Sequence, residues 1–384
     1  MYSRVAKPPP LLYIDYRGVG LPPVATILLT PHAYPSPHLI ILTYIPFGYI
    51  LSSTVLSTAP SLPARNTWTG TRKEEKDIQV LTNKMGRASL GVRKTTPVGI
   101  ISAESALPPA RALLDHRQAS FALRLLSRPV GSGGQEEILL HKGSQFTARI
   151  RSRCGLRRGE TAELQRWEEF REIRATVYVE RKEEALRVAR EWTDENQKDT
   201  VWTDGSRLEN ERVGCAVAFK KEGSWKEIGL YLGRNKEVFD AEVFAIGQAL
   251  EELEGRREWD RRYTIFSDSQ AALSRIQHDR TGPGQTLAVR AIALADAILL
   301  RGNTVTLKWT PSHEGISGNE RADRAARRGA EGREDTVGQE YLSEASLSHL
   351  TRVTTEARAN MTTEWIRNHC GRHRRYRPPK GGKM

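Results

Sequence analysis

The chain has 384 residues and a formal net charge of +13, with 38% hydrophobic and 27% charged residues. This length allows two or three domains of ~150 residues, and the basic excess favours a polyanionic partner. The three cysteines, Cys154, Cys215 and Cys370, are too few and too scattered for a disulfide framework. They exclude a small disulfide-rich secreted protein and favour an intracellular one, in the nucleus or the cytoplasm.

Residues 1–75 are predicted to be an apolar, proline-rich leader that is disordered or foreign to the folded part. Residues 18–64 contain no Asp, Glu, Lys or Arg and eight prolines. The stretch 38–57 is long enough to span a bilayer at ~20 residues, but Pro46 and Gly48 weaken it as a helix. A membrane segment there is the less favoured alternative. A secretory signal is disfavoured because Arg17 lies far ahead of the apolar run.

Residues 76–130 combine basic residues with apolar residues at helical spacing. The run 108–126 predicts a helix that opens with a pair of prolines. Gly, Ser and Arg dominate residues 131–160, which is typical of a linker, and the Glu- and Arg-rich stretch 180–192 predicts a solvated helix. We therefore expect a linker followed by a charged helix over residues 131–195.

Residues 196–332 show a regular succession of elements that predicts an α/β domain. Strands are predicted at 199–206, 214–221, 224–233, 262–269 and 304–313, and helices at 240–256, 269–277, 286–302 and 319–330. The order βββαβααβα favours one central sheet with helices packed against it. About 135 residues are enough for such a domain to bury its own core.

The charge excess lies outside this domain. Residues 196–332 hold 21 basic and 21 acidic residues, whereas the stretch 367–383 holds seven Lys or Arg and no acid. We therefore expect residues 333–384 to be a basic C-terminal tail that contacts phosphates. The cluster HCGRH at 369–373 offers at most three metal ligands without a CxxC spacing, so a metal site there is the less favoured alternative.

Four acids of residues 196–332 are candidate metal ligands. Asp204 in TDGS and Asp268 in FSDS each end a predicted strand, where ligands of α/β sheets usually bind. Glu242 shares a helical stripe with Ala245, Ile246, Ala249 and Leu253, so it should face the sheet and require a partner or a metal. As alternatives, the two aspartates are turn or capping residues, and Glu242 bends out to water.

Asp323 follows a glycine-containing loop with His313 and begins the last predicted helix, which brings a fourth acid to the same edge of the sheet. Hard oxygen ligands with few His or Cys suit Mg²⁺ or Mn²⁺. Two such ions around one phosphate are the arrangement that phosphodiester cleavage uses. The four acids therefore predict a two-metal site for phosphodiester chemistry.

The motifs TDGS, DAEVFAI, SDSQAAL and HEGISGNERAD, in this order and at these separations, resemble type 1 ribonuclease H. The last motif is most similar to the ribonuclease H domains of non-LTR retrotransposons. The resemblance implies a ribonuclease H-like fold with a central five-stranded mixed sheet. It also implies an endonuclease that cuts the RNA strand of RNA–DNA hybrids, with Asp204, Glu242, Asp268 and Asp323 holding two Mg²⁺ ions, or Mn²⁺ instead.

The resemblance also implies roles for the loop before Asp323. His313 is expected to assist proton transfer or product release. Gly315 and Gly318 are expected to keep the loop mobile, while Asn319 and Glu320 start the helix. The short stretch DRTGPGQ at 279–285 departs from cellular ribonucleases H, because it lacks their basic protrusion.

Residues 84–118 are similar to the region after the palm of retrotransposon reverse transcriptases, but no YADD or FADD motif occurs. The chain is therefore interpreted as a truncated element protein without its polymerase palm. Two alternatives remain: an inactive nucleic-acid-binding relic, and a transposase or integrase, in which the last acid is usually Glu. The sequence does not indicate an oligomeric state.

Overall fold

The computed structural model describes residues 72–127, 151–152, 155–157, 159–163, 173–194, 199–278 and 282–370. The predicted leader up to residue 71, most of the predicted linker and residues 371–384 lie outside these ranges, as does the candidate membrane segment 38–57. Within the described ranges, no helix combines the length and the apolar character that a membrane span needs.

The described residues divide into two compact units, one of residues 72–107 with 368–370 and the other of those that lie between 108 and 367. In the first unit, α1 (Arg72–Leu90) and α2 (Val98–Ser105) pack closely, since a Cβ atom on Gly86 would lie 2.5 Å from Cγ2 of Ile101. The Ser105 hydroxyl donates to the carbonyl of Ile101 at 2.6 Å. Ala106 takes a left-handed conformation, with φ of 54°, and ends α2.

The second unit holds the predicted α/β domain together with the elements on either side of it. In chain order these elements are α3 (Ala110–Leu126), β1 (Thr161–Ala162), β2 (Thr176–Tyr178), α4 (Lys182–Asp194), β3 (Thr200–Arg207), β4 (Val213–Lys221), β5 (Ser224–Gly233), α5 (Val238–Gly255), β6 (Arg262–Ser267), α6 (Gln270–Gln277), α7 (Gln285–Leu299), β7 (Thr304–Trp309), α8 (Ser317–Glu331), β8 (Asp335–Thr336), α9 (Gln339–Ser343), β9 (Glu344–Ala345) and α10 (Leu347–His369). The predicted order βββαβααβα is confirmed from β3 to α8.

The main sheet is mixed and follows the strand order β2-β7-β6-β3-β4-β5-β8. Its five long strands are the predicted ones, and the predicted ribonuclease H-like arrangement is confirmed. β2 and β8 extend the sheet by a short parallel strand at each edge. The sequence did not reveal these edge strands, because two or three residues are too few for a period of two to emerge.

Helices α5, α6 and α7 cover one face of the sheet and enclose the largest apolar core. Val201, Val217 and Ile265 of the strands pack there against apolar residues of the helices, among them Ile246 and Ile292. Small residues let the helices approach closely, since Ala245, Ala249, Ala288, Ala291 and Ala295 are all buried. This face therefore fixes the orientation of α5, the helix that carries Glu242.

Helices α4 and α8 cover the opposite face. Trp202 stacks on Phe266 at a ring-centroid distance of 4.2 Å, and Val188 of α4 and Ala322 of α8 complete this core. A Cβ atom on Gly214 would lie 2.1 Å from the backbone nitrogen of Ala330, so α8 nearly touches β4. The predicted charged helix is thus α4, and one of its faces is buried on the sheet.

Residues after α8 fold back onto this unit. β9 pairs in parallel with β1, and α3 and α10 meet beside this small sheet in a core that includes Leu123, Leu156, Ala345 and Leu350. Residues 333–370, the described part of the predicted basic tail, are therefore structured by packing.

Candidate active site

Strand register brings Asp204 and Asp268 together. β3 and β6 run parallel, with Trp202 opposite Phe266 and Thr203 opposite Ser267, so the next residue of each chain segment is one of the two acids. Side chains alternate between the faces of a strand, which puts Asp204 on the same face as Trp202, where α8 lies. The Trp309 indole nitrogen donates to the Asp268 carbonyl at 3.0 Å and fixes the backbone where β6 ends.

Glu242 reaches the same point from the first turns of α5. Gly205 makes this approach feasible, because a Cβ atom there would lie 2.7 Å from the Glu242 backbone nitrogen and 2.9 Å from Cβ of Ala241. The backbone N–H of Gly205 lies close to the carboxyl groups of both Asp204 and Glu242 and lowers the pKa of each against the larger effect of burial. The glycine next to Asp204 therefore lets helix and strand touch and supplies a shared donor.

Helix α8 supplies Asp323. Its start is pressed onto the sheet, since a Cβ atom on Gly318 would lie 2.3 Å from the indole nitrogen of Trp202. Asp323, further along the helix, lies close enough to Asp204 and Asp268 for its carboxyl group to raise the pKa of both. Gly318 therefore lies in the first turn of α8 and permits close packing; the expectation that it keeps a loop mobile is wrong, because the helix begins at Ser317.

Three of the four acids form a tight cluster. One carboxylate oxygen from each of Asp204, Glu242 and Asp268 lies within 4.8 Å of the others. Asp204 and Glu242 are buried, with 5% and 7% of their surface exposed, and Asp268 is half-buried. Asp323 joins this cluster through Asp204. The structure thus brings together all four acids that the sequence singled out.

The electrostatics of the cluster favour protonation when no cation is bound. Burial, followed by the charges of Asp268 and Asp323, raises the pKa of Asp204 to about 8. Burial and the charges of Asp204 and Asp268 raise the pKa of Glu242 well above its usual range. Burial also raises the pKa of Asp268. Converging carboxylates repel one another when ionised, and bound cations relieve that repulsion.

A divalent ion fits this set of donors. Oε2 of Glu242 is buried without a hydrogen-bond partner among the described residues, although a buried carboxylate oxygen normally has one. The available ligands are hard carboxylate oxygens from four side chains, the type that Mg²⁺ and Mn²⁺ take in proteins. The cluster therefore has both the charge and the open oxygen that cation binding requires.

Asn319 and His313 both lie near Asp268, Asn319 in the first turn of α8 and His313 in the loop before that helix. Asn319 is buried, and its side-chain amide lies close enough to Asp268 to lower the pKa of that carboxyl group against the larger effect of burial. His313 is exposed, lies close enough to act electrostatically on the same carboxyl group, and has a left-handed backbone with φ of 56°. The structure therefore places the predicted loop histidine at the edge of the acid cluster.

An ion pair connects the His313 loop to α4. Nζ of Lys182 lies 2.5 Å from Oε1 of Glu314, the residue after the histidine. Both side chains are partly exposed, and ion pairs of this kind contribute little to the stability of a fold. The ion pair therefore links the loop to α4 without adding much to the stability of the fold.

Comparison with known proteins identifies the class of domain. Residues 196–331 match the family model described as RNase H, so this part of the chain is an RNase H domain. The match supports ribonuclease H activity, the enzyme class that the motifs predicted.

Three solved structures to which the chain is similar are ribonucleases H. RNase H1 from the archaeon Halobacterium salinarum is 19% identical, with 35% of this chain and 97% of that chain covered and a TM-score of 0.28. The N-terminal RNase H domain of a Mycobacterium tuberculosis protein is 20% identical over 33% and 96% of the two chains, with a TM-score of 0.28. LC11-RNase H1, in complex with an RNA/DNA hybrid, is 21% identical over 34% and 96%, with a TM-score of 0.28.

The structure gives Asn319 and Trp202 positions at the site that the sequence did not predict. Asn319 was expected only to start a helix, yet its side-chain amide lies beside the carboxyl group of Asp268. Trp202 forms the surface on which Gly318 rests. The motif indicated that Gly318 is important but not why. The sequence alone does not distinguish a glycine that packs against an aromatic ring of a distant strand from a glycine that makes a loop mobile.

Proposed function

We propose that the RNase H domain is a divalent-metal-dependent endonuclease that cuts the RNA strand of RNA–DNA hybrids. The observation that carries this proposal is the convergence of Asp204, Glu242 and Asp268 within 4.8 Å of one another in a region that matches RNase H. The hybrid is the substrate that the family resemblance implies. Discrimination against DNA would come from contacts with the 2′-hydroxyl groups of the RNA strand.

In this proposal the four acids hold two Mg²⁺ ions, or Mn²⁺ instead. Bound ions supply Lewis acidity at the scissile phosphate and lower the pKa of the attacking water. The family resemblance implies that Asp204 would be the acid shared by both ions, and its position beside Glu242 and Asp268 is consistent with that role. The Gly205 N–H orients the carboxylates of Asp204 and Glu242, and Asn319 orients that of Asp268.

His313 is the candidate for proton transfer or product release. It is exposed at the edge of the cluster, so it can reach a phosphate oxygen of a bound strand and exchange a proton with solvent. A group placed in this way typically contributes ~10²–10⁴-fold to a rate. Its position in a loop suits a step in which the product leaves.

We also propose that the domain derives from a non-LTR retrotransposon protein. The similarity of residues 84–118 to the region after a reverse transcriptase palm supports this origin, as does the form of the HEGISGNERAD motif. The domain boundaries at 76–130, 131–195, 196–332 and 333–384 are part of the same proposal. The rival function is an inactive nucleic-acid-binding relic, and one experiment separates the two.

The test is strand-specific cleavage by the full chain. Hybrids labelled on either the RNA or the DNA strand, together with single-stranded RNA and duplex DNA, are incubated with Mg²⁺ or with EDTA. We expect cleavage of the RNA strand of the hybrid alone, and only with the metal. A protein that binds the hybrid but does not cut it in Mg²⁺ or Mn²⁺ would instead be an inactive nucleic-acid-binding relic.

A further inference from the structure

The start of α5, the helix that carries Glu242, is held by residues that follow the region matching RNase H in the chain. We define the C-terminal clamp as residues 341–352, which follow the domain in the chain. Glu237 is the N-cap of α5 and Asp240 is its third residue, and the two form a capping box: each carboxylate accepts a hydrogen bond from the backbone N–H of the other residue. The Glu237 N–H donates to Oδ2 of Asp240 at 2.7 Å.

Both capping carboxylates have further donors on the clamp. Ser346 donates its hydroxyl to Oδ2 of Asp240 at 2.6 Å, and Ser348 donates to Oδ1 at 3.0 Å. Arg352 donates Nε to Oε1 of Glu237 at 2.7 Å. Asp240 is fully buried, and a buried carboxylate without donors is strongly destabilising. The clamp therefore adds two hydroxyl donors to the buried Asp240 carboxyl group and an arginine donor to Glu237.

The residues just before the cap are held in the same way. Lys236 is 1% exposed and donates Nζ to the carbonyl of Tyr341 at 2.9 Å and to that of Glu344. Asn235 donates its amide to the carbonyl of Leu342 at 3.0 Å, and its own carbonyl accepts from the Ser346 backbone N–H at 3.0 Å. Glutamate is not among the preferred N-cap residues, so the geometry of this helix start depends on these tertiary contacts.

Glu242 lies only two residues after Asp240 and approaches Asp204 across Gly205 without any spare space. We propose that Asp240, Ser346 and Ser348 are positioning residues that hold Glu242 at the acid cluster, so that cation affinity depends on the C-terminal clamp. This inference rests on the proposed function, since it assigns a purpose to the clamp within the same metal site. It extends the functional unit beyond residue 331 to at least residue 352.

The test measures cation binding directly, in the full-length protein without nucleic acid. Mn²⁺ is titrated by electron paramagnetic resonance into the wild type, the double variant Ser346→Ala/Ser348→Ala and the control Ser343→Ala, whose hydroxyl bonds to the carbonyl of Glu340 within α9. Loss of groups that orient a ligand typically weakens metal binding ~10–100-fold, and we expect that loss in the double variant alone. The Mg²⁺ concentration for half-maximal hybrid cleavage should rise in parallel, and saturating Mg²⁺ should restore the rate.

The single variant Ser348→Ala, which removes only the longer of the two bonds to Asp240, provides a milder change. It should bind Mn²⁺ with intermediate affinity while its circular dichroism remains that of the wild type. A double variant that melts at a lower temperature yet binds Mn²⁺ as the wild type does would overturn the proposal and leave the clamp a purely structural device. A wild type that neither binds Mn²⁺ nor cuts hybrids would overturn the proposed function itself.

Discussion

At the residue scale, the protonation state of the acid cluster governs the behaviour of the metal-free protein. The pKa of Asp204 is about 8 in the fold, against ~3.9 in an unfolded chain. Between these values the folded state binds a proton that the unfolded state has lost, so stability falls as pH rises from about 4 to 8. Cations displace such protons, so Mg²⁺ should stabilise the fold more at pH 8 than at pH 5.

Thermal melting in EDTA and in Mg²⁺ across this pH range tests that expectation. The pKa of Glu163 is raised to about 7 by burial and acts in the same direction, so the variant Asp204→Asn is needed to isolate the cluster. Its melting temperature in EDTA should depend less on pH than that of the wild type. An equal dependence in the two proteins would contradict the raised pKa of Asp204.

His313 gives the second prediction at this scale. The variant His313→Ala should fold normally, because the side chain is exposed, and it should cut hybrids ~10²–10⁴-fold more slowly. Single-turnover and steady-state rates would separate proton transfer from product release. If Mn²⁺ affinity also fell in His313→Ala, the histidine would be a cation ligand and its assigned role would be wrong.

At the element scale, the packing of α8 on β3 decides where Asp323 lies. A methyl group at Gly318 would meet the Trp202 ring, so Gly318→Ala should destabilise the fold by about 1–3 kcal/mol through overpacking and weaken cation binding. The matched control is Gly247→Ala in α5, where nothing lies within 4 Å of the new Cβ atom. That control should stabilise the fold by about 0.5–1 kcal/mol. Chemical denaturation compares the two, and a tolerated Gly318→Ala would contradict the tight packing of α8.

Helices α4, α5 and α8 show which features of the fold could be predicted from the sequence and which could not. The alternation and helical spacing of residues 199–331 are strong, and they predicted every long strand and helix of the domain. The structure brings the four predicted acids near one another, and their role as cation ligands stays a prediction. Gly318 was misjudged because the ring it faces comes from a strand more than a hundred residues earlier. The clamp contacts of Asp240 were missed for the same reason, because their partners lie outside the motifs and hydroxyl groups of a distant segment leave no periodic signal. The buried face of α4 was also missed, although its partners include Ile316 and Ala322 of the last motif.

At the scale of the whole molecule, we expect the residues that bind the hybrid through its phosphates to differ from the acids that cleave it. Residues 371–384, which lie outside the described ranges, contain six Lys or Arg and no acid, whereas the domain is neutral by count. Replacing those six residues by serine should weaken hybrid binding and make it less sensitive to salt. On a DNA duplex, the slope of the logarithm of the binding constant against the logarithm of the salt concentration changes by ~0.9 for each phosphate that the protein no longer neutralises. Binding in Ca²⁺ at several salt concentrations measures this. Identical slopes would assign phosphate binding to the folded units alone.

The most direct measurement is hybrid cleavage by Asp268→Asn. The amide keeps the shape of the side chain and removes one charge from a repelling cluster, so the metal-free variant should melt at or above the wild-type temperature. With saturating Mg²⁺ and an RNA-labelled hybrid, we expect the wild type to cut the RNA strand and the variant to be inactive. A variant that kept more than about a tenth of the wild-type rate, ~1.4 kcal/mol in the barrier, would contradict the account that these acids form the catalytic centre.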